Sequence, residues 1–311
     1  MKATYKAVRS IIMVLIMLLV VVYVGLYVSL SVPSVQDRIK KKVCDESSRL
    51  LGGKVAMKSL YVYPFSEIML TGVTLDSPSG ERCASIGKVA AGIDLWRLLS
   101  DRKIVLNYAE IIGLDVMVYQ DSAGSPTSIQ FLVDALSPKD KKKPPTVFDL
   151  KIRNVVIRDS KASYQRRWLR DDSGIPLPYA EMNMDRIRMD LSIPVLNNDS
   201  SRFIIRNMQF DVTPHVNVRS LSADIQYIKE RYPNGDGLFV KNFNISFPNS
   251  YLAVGDFSLN TGNFNDIVAK VSGSVCPSDF SGILKPLEVF DTTWDLDIDA
   301  VYKENGIEIS D

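Results

Sequence analysis

The residue types that most often carry out chemistry are scarce in this chain and do not cluster. His215 is the single histidine among 311 residues, which excludes most His-based catalysis and multi-histidine metal sites. Cys44, Cys83 and Cys276 lie far apart and are odd in number, so their spacing predicts neither a metal knot nor a disulfide framework. We therefore expect a surface histidine and thiols that are buried or bystanders.

Four aspartates near the end of the chain, Asp291, Asp295, Asp297 and Asp299, are the best candidates for oxygen ligands. The last three alternate with apolar residues, which is typical of the solvent-facing side of a strand, whereas calcium needs a tight loop of ligands. The sequence contains no glycine-rich phosphate loop, no GxSxG and no HExxH. It therefore predicts no catalytic residue, no metal site and no cofactor, and an enzyme is not expected.

The overall charge is close to balanced. The chain has 37 Lys and Arg against 36 Asp and Glu, for a formal net charge of +1. Proteins that bind nucleic acid usually carry a strong basic excess, so a nucleic-acid partner is not expected.

The stretch Ile11–Leu30 contains twenty residues and no charge. As a helix it would be about 30 Å long, the thickness of a bilayer's hydrocarbon core. A cleaved signal peptide usually has only about 7–15 apolar residues, and the cleavage site at Ser29–Ser31 would be weak. The stretch predicts a transmembrane anchor over 11–30, with residues 1–10 as a cytoplasmic tail. Basic residues flank it on both sides, so export of the long C-terminal body is the expected orientation.

A second helix follows the anchor at once. Val35, Ile39 and Val43 recur at every fourth residue, and Gly52-Gly53 supplies a stop signal. The pattern predicts an amphipathic juxtamembrane helix over 34–52, with Ser34 at its start. Such a helix either lies on the membrane or plugs one end of the body, or it packs on the core as an ordinary surface helix.

From Lys54 the apolar period changes to the alternation of strands. Residues 54–136 form a first β segment that ends in a short helix capped by Ser128, the lysine- and proline-rich residues 137–146 form a linker loop, and 147–311 continue the strands. Pro277–Leu284 predicts a short helix, and Gly306–Ser310 resembles a strand just beginning, so we expect the sheet to continue past Asp311. The predicted strands are Lys54–Tyr63, Ile68–Leu75, Ile86–Asp94, Lys103–Gln120, Val147–Asp159, Tyr179–Ile193, Arg202–Val212, Val216–Lys229, Leu238–Phe247, Tyr251–Asn260, Ile267–Val275 and Thr293–Val301.

Seven strands share an interruption in which two alternating apolar residues are followed by a polar or glycine pair and then two more apolar residues. An inserted residue, or β-bulge, would keep both halves on one face and bend the strand. A sandwich whose strands cross between two sheets is the alternative. The interrupting pairs are Thr71-Gly72, Arg153-Asn154, Asp185-Arg186, Arg206-Asn207, Arg219-Ser220, Lys241-Asn242 and Gly255-Asp256.

The fold class that follows is mainly β: a long, curled, mostly antiparallel sheet of about fifteen strands after the two N-terminal helices. Its few short helices cannot cover so much apolar sheet, so curvature or sheet-on-sheet packing must do so. A trough too wide to be filled by side chains would hold an apolar guest such as a lipid acyl chain. The candidate groove residues are Phe203, Ile205, Met208, Phe210, Leu238, Val240, Phe243, Ile245, Leu252, Val254, Phe257 and Leu259.

Several segments together carry a family resemblance. They are the anchor, Pro33–Arg38, Leu51–Val55, Ile68–Asp76, Ser79-Gly80, Asp94–Arg102, Ile111–Val116 and Cys276–Phe280. These segments resemble the AsmA-like, TamB-type inner-membrane proteins of Gram-negative bacteria, most clearly in the first third of the chain and more weakly after Thr146.

This resemblance implies a single-pass inner-membrane protein with a periplasmic β-groove of the bridge-like lipid-transfer type. The implied function is movement of phospholipid between the inner and outer membranes. The alternative is assembly of outer-membrane β-barrel proteins with an Omp85-type partner. Family members are commonly much longer, and nothing here matches the C-terminal domain that contacts that partner, so the partner is not assigned to any residue.

Overall fold

The structure is a computed structural model with two helices, fourteen strands and two short 3-10 helices among the residues it describes. Helix α1 is Pro33–Leu51 and helix α2 is Gln130–Leu136. The 3-10 helices are Pro277–Phe280 and Lys285–Val289. The described residues are 17, 24–25, 28–29, 32–63, 67–93, 104–136, 149–169, 180–197, 199–213, 216–303 and 306–310.

All fourteen strands belong to one sheet. Twelve predicted strands correspond to observed ones, although the predicted strand Lys54–Tyr63 is divided into two and most others are longer than predicted. The strands are β1 Lys54–Ala56, β2 Ser59–Tyr63, β3 Glu67–Asp76, β4 Arg82–Ile93, β5 Ile104–Gln120, β6 Asp149–Arg166, β7 Glu181–Asn197, β8 Ser200–Thr213, β9 Val216–Tyr232, β10 Gly235–Ser246, β11 Tyr251–Asn260, β12 Asn263–Val275, β13 Trp294–Lys303 and β14 Gly306–Ser310.

The strand order follows the chain from β3 to β14, with β1 and β2 both paired to β3. Every pair is antiparallel except β5 and β6, which run parallel and are joined by the connection that contains α2. The prediction of a mainly β, mostly antiparallel sheet is confirmed. The prediction of strong curling is not met, because the sheet is open and is neither closed nor strongly curled.

The seven predicted interruptions coincide with irregularities in the sheet. In β6 to β11 the ladder register shifts at each predicted pair, for example between Ile205 and Met208 and between Val254 and Phe257. In β3 the register is unchanged, but Gly72 has a φ of 57°. The prediction of inserted residues is therefore confirmed, and it explains why apolar residues keep to one face of each strand.

These irregularities form two lines across the sheet. The first line crosses β3 to β7 through Gly72, Gly87, Gly113, Asp159 and Arg186, all of which have positive φ except Gly87. The second line joins the interruptions of β6, β8, β10 and β11. Each line bends only part of the sheet, so the bends do not add up to a closed trough.

Helix α1 confirms the predicted helix and its end, since Gly52 adopts the left-handed conformation with a φ of 72°. Its start differs from the prediction: Val32 is the N-cap and Pro33 occupies the first turn, so Ser34 is inside the helix. The predicted cap of α2 is wrong, because the Ser128 hydroxyl accepts a 3.0 Å bond from the Tyr119 amide of β5 and α2 begins at Gln130. A serine in such a local pattern fits several roles equally well.

The most buried apolar cluster lies in the middle of the sheet. Ile152, Val155 and Leu191, each at most 9% exposed, are packed by partly buried neighbours on β5 to β8. Outside this cluster, most side chains of the sheet's apolar residues are only partly buried.

Some predictions fall wholly or mostly on residues outside those described. They are the cytoplasmic tail 1–10, most of the anchor 11–30, the linker 137–146 and His215. Within the part of the chain that is described, none of the helices is both long enough and apolar enough to cross a bilayer.

Candidate functional site

One face of the sheet carries rows of apolar side chains that run from strand to strand. In the longest row each residue pairs directly with the next, so all side chains point to the same side. We call this side the apolar face. The row crosses ten consecutive strands, β2 to β11, through Leu60, Leu70, Val89, Ile111, Ile157, Met189, Met208, Leu221, Ile245 and Leu252.

Two further rows accompany it. One passes from β2 to β9 through Val62, Ile68, Ala91, Ala109, Val155, Leu191, Ile205 and Ala223. The other begins at β1 and passes from β3 to β9 through Val55, Leu75, Ala84, Val116, Ala162, Met184, Val212 and Val216.

The structure brings the twelve candidate groove residues together on this apolar face. Those on β10 pair directly with those on β11, as in Val240 with Phe257 and Phe243 with Val254. Those on β8 lie one strand further along, on the other side of β9. All twelve are partly buried, with none fully buried or fully exposed. They therefore form a partly accessible surface.

The candidate groove residues include none from β9, the strand that connects their two groups, although the strand itself was predicted. Leu221, Ala223 and Ile225 of β9 pair with Met208, Ile205 and Phe203 of β8 and belong to the same face. Their alternation was visible in the sequence, but the order of strands, which places β9 between β8 and β10, was not. The rows on β2 to β7 were missed for the same reason.

The opposite side, which we call the charged face, is built from the alternate residues of the same strands. Cross-strand ion pairs form there, each beside a residue of the apolar rows in sequence. They are Lys88–Glu110 at 2.8 Å, Arg158–Asp190 at 2.7 Å, Lys161–Asp115 at 3.1 Å and Arg202–Asp224 at 2.5 Å. These ion pairs all lie on the side of the sheet opposite the apolar rows.

The ion pair at Arg202 and Asp224 is held by two hydrogen bonds, of 2.9 and 2.5 Å. The Arg202 guanidinium lowers the pKa of Asp224 by hydrogen bonding and, to a smaller extent, by its charge. At the far end of β9 the Tyr227 hydroxyl donates a 2.5 Å bond to Asp236 and lowers the pKa of that carboxyl. Both carboxylates are therefore stabilised in their charged form.

Helical elements contact the sheet mainly at its ends. Helix α1 packs against β1, β2 and α2, and the first 3-10 helix approaches β9. That 3-10 helix contains Asp279, a buried carboxylate that accepts 2.9 and 3.0 Å bonds from Asn249 and a 2.6 Å bond from Ser250. These bonds fix the turn between β10 and β11, so the Cys276–Phe280 segment has a structural role beside that turn.

Two depressions lie along the first line of irregularities and differ from the apolar face in composition. One, of about 460 Å³, is lined by Asp159, Lys161 and Arg186 among others. The second, of about 620 Å³, shares Arg186 and adds Arg188 and Arg219. Charged and polar residues make up most of the lining of each depression, although the candidate groove residue Phe210 also lines the second. Neither depression is therefore suited to an acyl chain.

The acidic residues that could have held a metal are also accounted for. Asp295 and Asp297 are exposed on β13 and alternate with the partly buried Leu296 and Ile298, as predicted for the wet side of a strand. Among the described residues no group of three His, Cys, Asp or Glu side chains is placed to hold a metal ion.

Neither a model of a known protein family nor a curated protein matches the chain.

Proposed function

We propose that this protein is a membrane-anchored, non-enzymatic carrier whose apolar face holds phospholipid acyl chains. The expected setting is the inner membrane of a Gram-negative cell, with the sheet in the periplasm and lipid passing between the inner and outer membranes. The observation that carries the proposal is the uninterrupted apolar row across ten strands, opposite a face of ion pairs.

The dimensions of this row suit acyl chains. Ten strands at about 4.8 Å spacing give a row about 43 Å long, whereas the hydrocarbon core of a bilayer is about 30 Å thick. One acyl chain, which spans half of that core, occupies a fraction of the row. Each CH₂ group moved from water onto such a surface contributes up to about 0.8 kcal/mol, so binding needs no specific pocket.

We also propose that the apolar face is the inner side of a shallow groove. Ile152, Val155 and Leu191 support this, because they are nearly buried although none of the helices that the structure describes packs substantially on β6 or β7. A concave sheet buries the side chains at its centre more fully than a flat sheet does. The inserted residues bend strands, which is how a sheet becomes concave without a second layer.

The test is photocrosslinking in intact cells at two neighbouring positions of β10. A photoreactive side chain at Phe243, on the apolar face, is expected to capture phospholipid, detected by mass spectrometry of the purified protein. The same side chain at Asn244, which is exposed on the charged face, is the matched control and is expected to capture none.

A third position, Leu19 in the predicted anchor, shows that lipid capture works in the same cells. Capture at Leu19 without capture at Phe243 would contradict the proposal. Crosslinks from Phe243 to unfolded outer-membrane proteins instead of lipid would also contradict it, and would favour the assembly-factor alternative.

A further inference from the structure

Polar side chains take part in the contact between helix α1 and the sheet. The Val55 amide of β1 donates a 2.8 Å bond to the Ser48 hydroxyl, and Gln36 and Lys40 line a small depression shared with β2. The Lys40 side chain is 30% exposed and its ammonium ion-pairs with Asp37 at 2.9 Å. Amphipathic helices usually place their apolar stripe on the core, so this orientation is unexpected.

The apolar stripe of α1 is consequently left partly uncovered. At 100° per residue, Ile39, Val43 and Leu50 fall within about 40° of one another around the helix axis. They lie about a quarter-turn from the side that contacts the sheet. Leu50 is 68% exposed and Val43 is 37% exposed, and no residue of the helix is fully buried.

Basic side chains border the stripe on its other side. Arg38, Lys42 and Arg49 lie about a quarter-turn from Leu50, in the direction away from the sheet. The acidic residue nearest the stripe is Glu46, and Arg49 neutralises it with a 2.5 Å ion pair. An apolar stripe with a basic border is the pattern of a helix that lies in the interface of an anionic membrane.

We propose that α1 lies flat on an anionic bilayer, with Ile39, Val43 and Leu50 inserted and the basic border at the phosphate level. The charge-free stretch that ends at Leu30, three residues before α1 begins, would bring the helix to that surface. The sheet is then attached about a quarter-turn around α1 from the inserted stripe, and Leu60 of β2 starts the long apolar row near the membrane. This inference rests on the membrane attachment of the proposed function, and not on lipid binding by the sheet.

The experiment measures the depth of single positions in the full chain. The protein is reconstituted in vesicles of phosphatidylglycerol and phosphatidylethanolamine that contain nitroxide-labelled lipid, with one fluorescent amino acid placed at Val43 or Leu50. The matched controls are Lys41 and Asp45, which are exposed on the side of α1 away from the stripe. The nitroxide is expected to quench the fluorophore at the two stripe positions and to leave it unquenched at the two controls.

A substitution tests the same contact from the other side. With the fluorophore at Ile39, Val43→Glu together with Leu50→Glu is expected to abolish quenching, and the sheet should still fold because both residues are exposed. Replacing phosphatidylglycerol by phosphatidylcholine is expected to weaken quenching, since the basic border loses its partner.

The two proposals fail in different ways. Equal quenching at all four positions, or none at Leu50, would overturn the placement of α1. Lipid capture at Phe243 without quenching at Leu50 would overturn this inference alone. Quenching at Leu50 without capture at Phe243 would support it and contradict lipid binding by the sheet.

Discussion

The two faces of this sheet are made by the same strands and differ in almost every property. On β7, Met189 and Leu191 belong to the apolar rows, whereas Asp190 between them ion-pairs with Arg158 of the neighbouring strand. On β8, Phe203 lies on the apolar face and Arg202 beside it pairs with Asp224. Adjacent residues therefore serve different purposes, one meeting an apolar partner and the other water.

The phase of the apolar alternation along each strand therefore determines which face of the sheet each side chain joins. A strand that simply alternated would exchange its faces after an odd spacing between apolar residues. The inserted residues at each interruption restore the phase, so the apolar rows remain continuous across both lines of irregularities. Substitutions at neighbouring positions are consequently the sharpest way to test it.

The largest difference between the faces is expected at Leu191 and Asp190. Leu191→Ala removes a side chain from the most buried cluster and should lower the free energy of unfolding by about 2–4 kcal/mol. Asp190→Ala breaks an ion pair whose side chains are 34–35% exposed and should cost less than about 1 kcal/mol. Urea unfolding followed by circular dichroism measures both.

Equal losses of unfolding free energy in these two variants would contradict the difference between the faces, because they would mean that both faces are packed. A small loss for Leu191→Ala would indicate that the apolar face is not a core even at its centre.

The next-largest effect on stability is expected at residues that adopt a positive φ at the irregularities of the strands. Gly72 has a positive φ, and a Cβ there would lie 2.9 Å from the Cβ of Lys58, so Gly72→Ala should destabilise the sheet by about 1–2 kcal/mol. Asn242 has a φ of 52° at the matching irregularity of β10, and Asn242→Gly should be neutral or stabilising by under about 1 kcal/mol. Thermal unfolding of the two variants gives the signs.

Opposite signs support the assignment of these positions as left-handed insertions. Destabilisation by Asn242→Gly would show instead that its side chain, and not its backbone, matters there.

The interruptions show how much of the fold the sequence could predict. Each was readable from apolar spacing, and Tyr251–Asn260 was predicted with its observed bounds. The predicted strand Lys54–Tyr63 divides at Lys58 because the chain bends past Gly72 of β3, a long-range contact that no local pattern contains. The register and the parallel pairing of β5 with β6 were unpredictable for the same reason.

Strand β5 shows where simple alternation misleads. Simple alternation along β5 places Tyr108 and Ile112 on the same face as Leu106 and Leu114. In the structure Ile112 pairs with Lys88, and Ile111 takes the place in the apolar row, because Gly113 adopts a φ of 67°. A glycine that adopts the left-handed conformation has no sequence signal of its own within an apolar strand.

The smallest expected effect is the pH dependence of the charged face. The pKa of Asp224 is lowered in the folded state by Arg202, so its contribution is present above about pH 4 and is lost as pH falls through the folded pKa. Arg202→Gln removes this contribution and should lower stability by under about 1 kcal/mol at pH 7. Unfolding midpoints between pH 7 and pH 2 should converge for the two proteins in acid.

A difference that persists at pH 2 would show that Arg202 acts through packing rather than through the charge of Asp224. The aliphatic part of the Arg202 side chain would then contribute apolar contacts on the charged face.

The proposal that the apolar face holds phospholipid can be tested by scanning lipid capture along β8, where the phase of the apolar alternation changes at Arg206-Asn207. Photoreactive side chains are expected to capture phospholipid at Phe203, Ile205, Met208 and Phe210. They are expected to capture none at Ile204 and Gln209, although Ile204 is apolar, because it pairs with Asp224 on the charged face. Equal capture at both sets of positions, or no capture at any of the six, would contradict lipid binding by the apolar face.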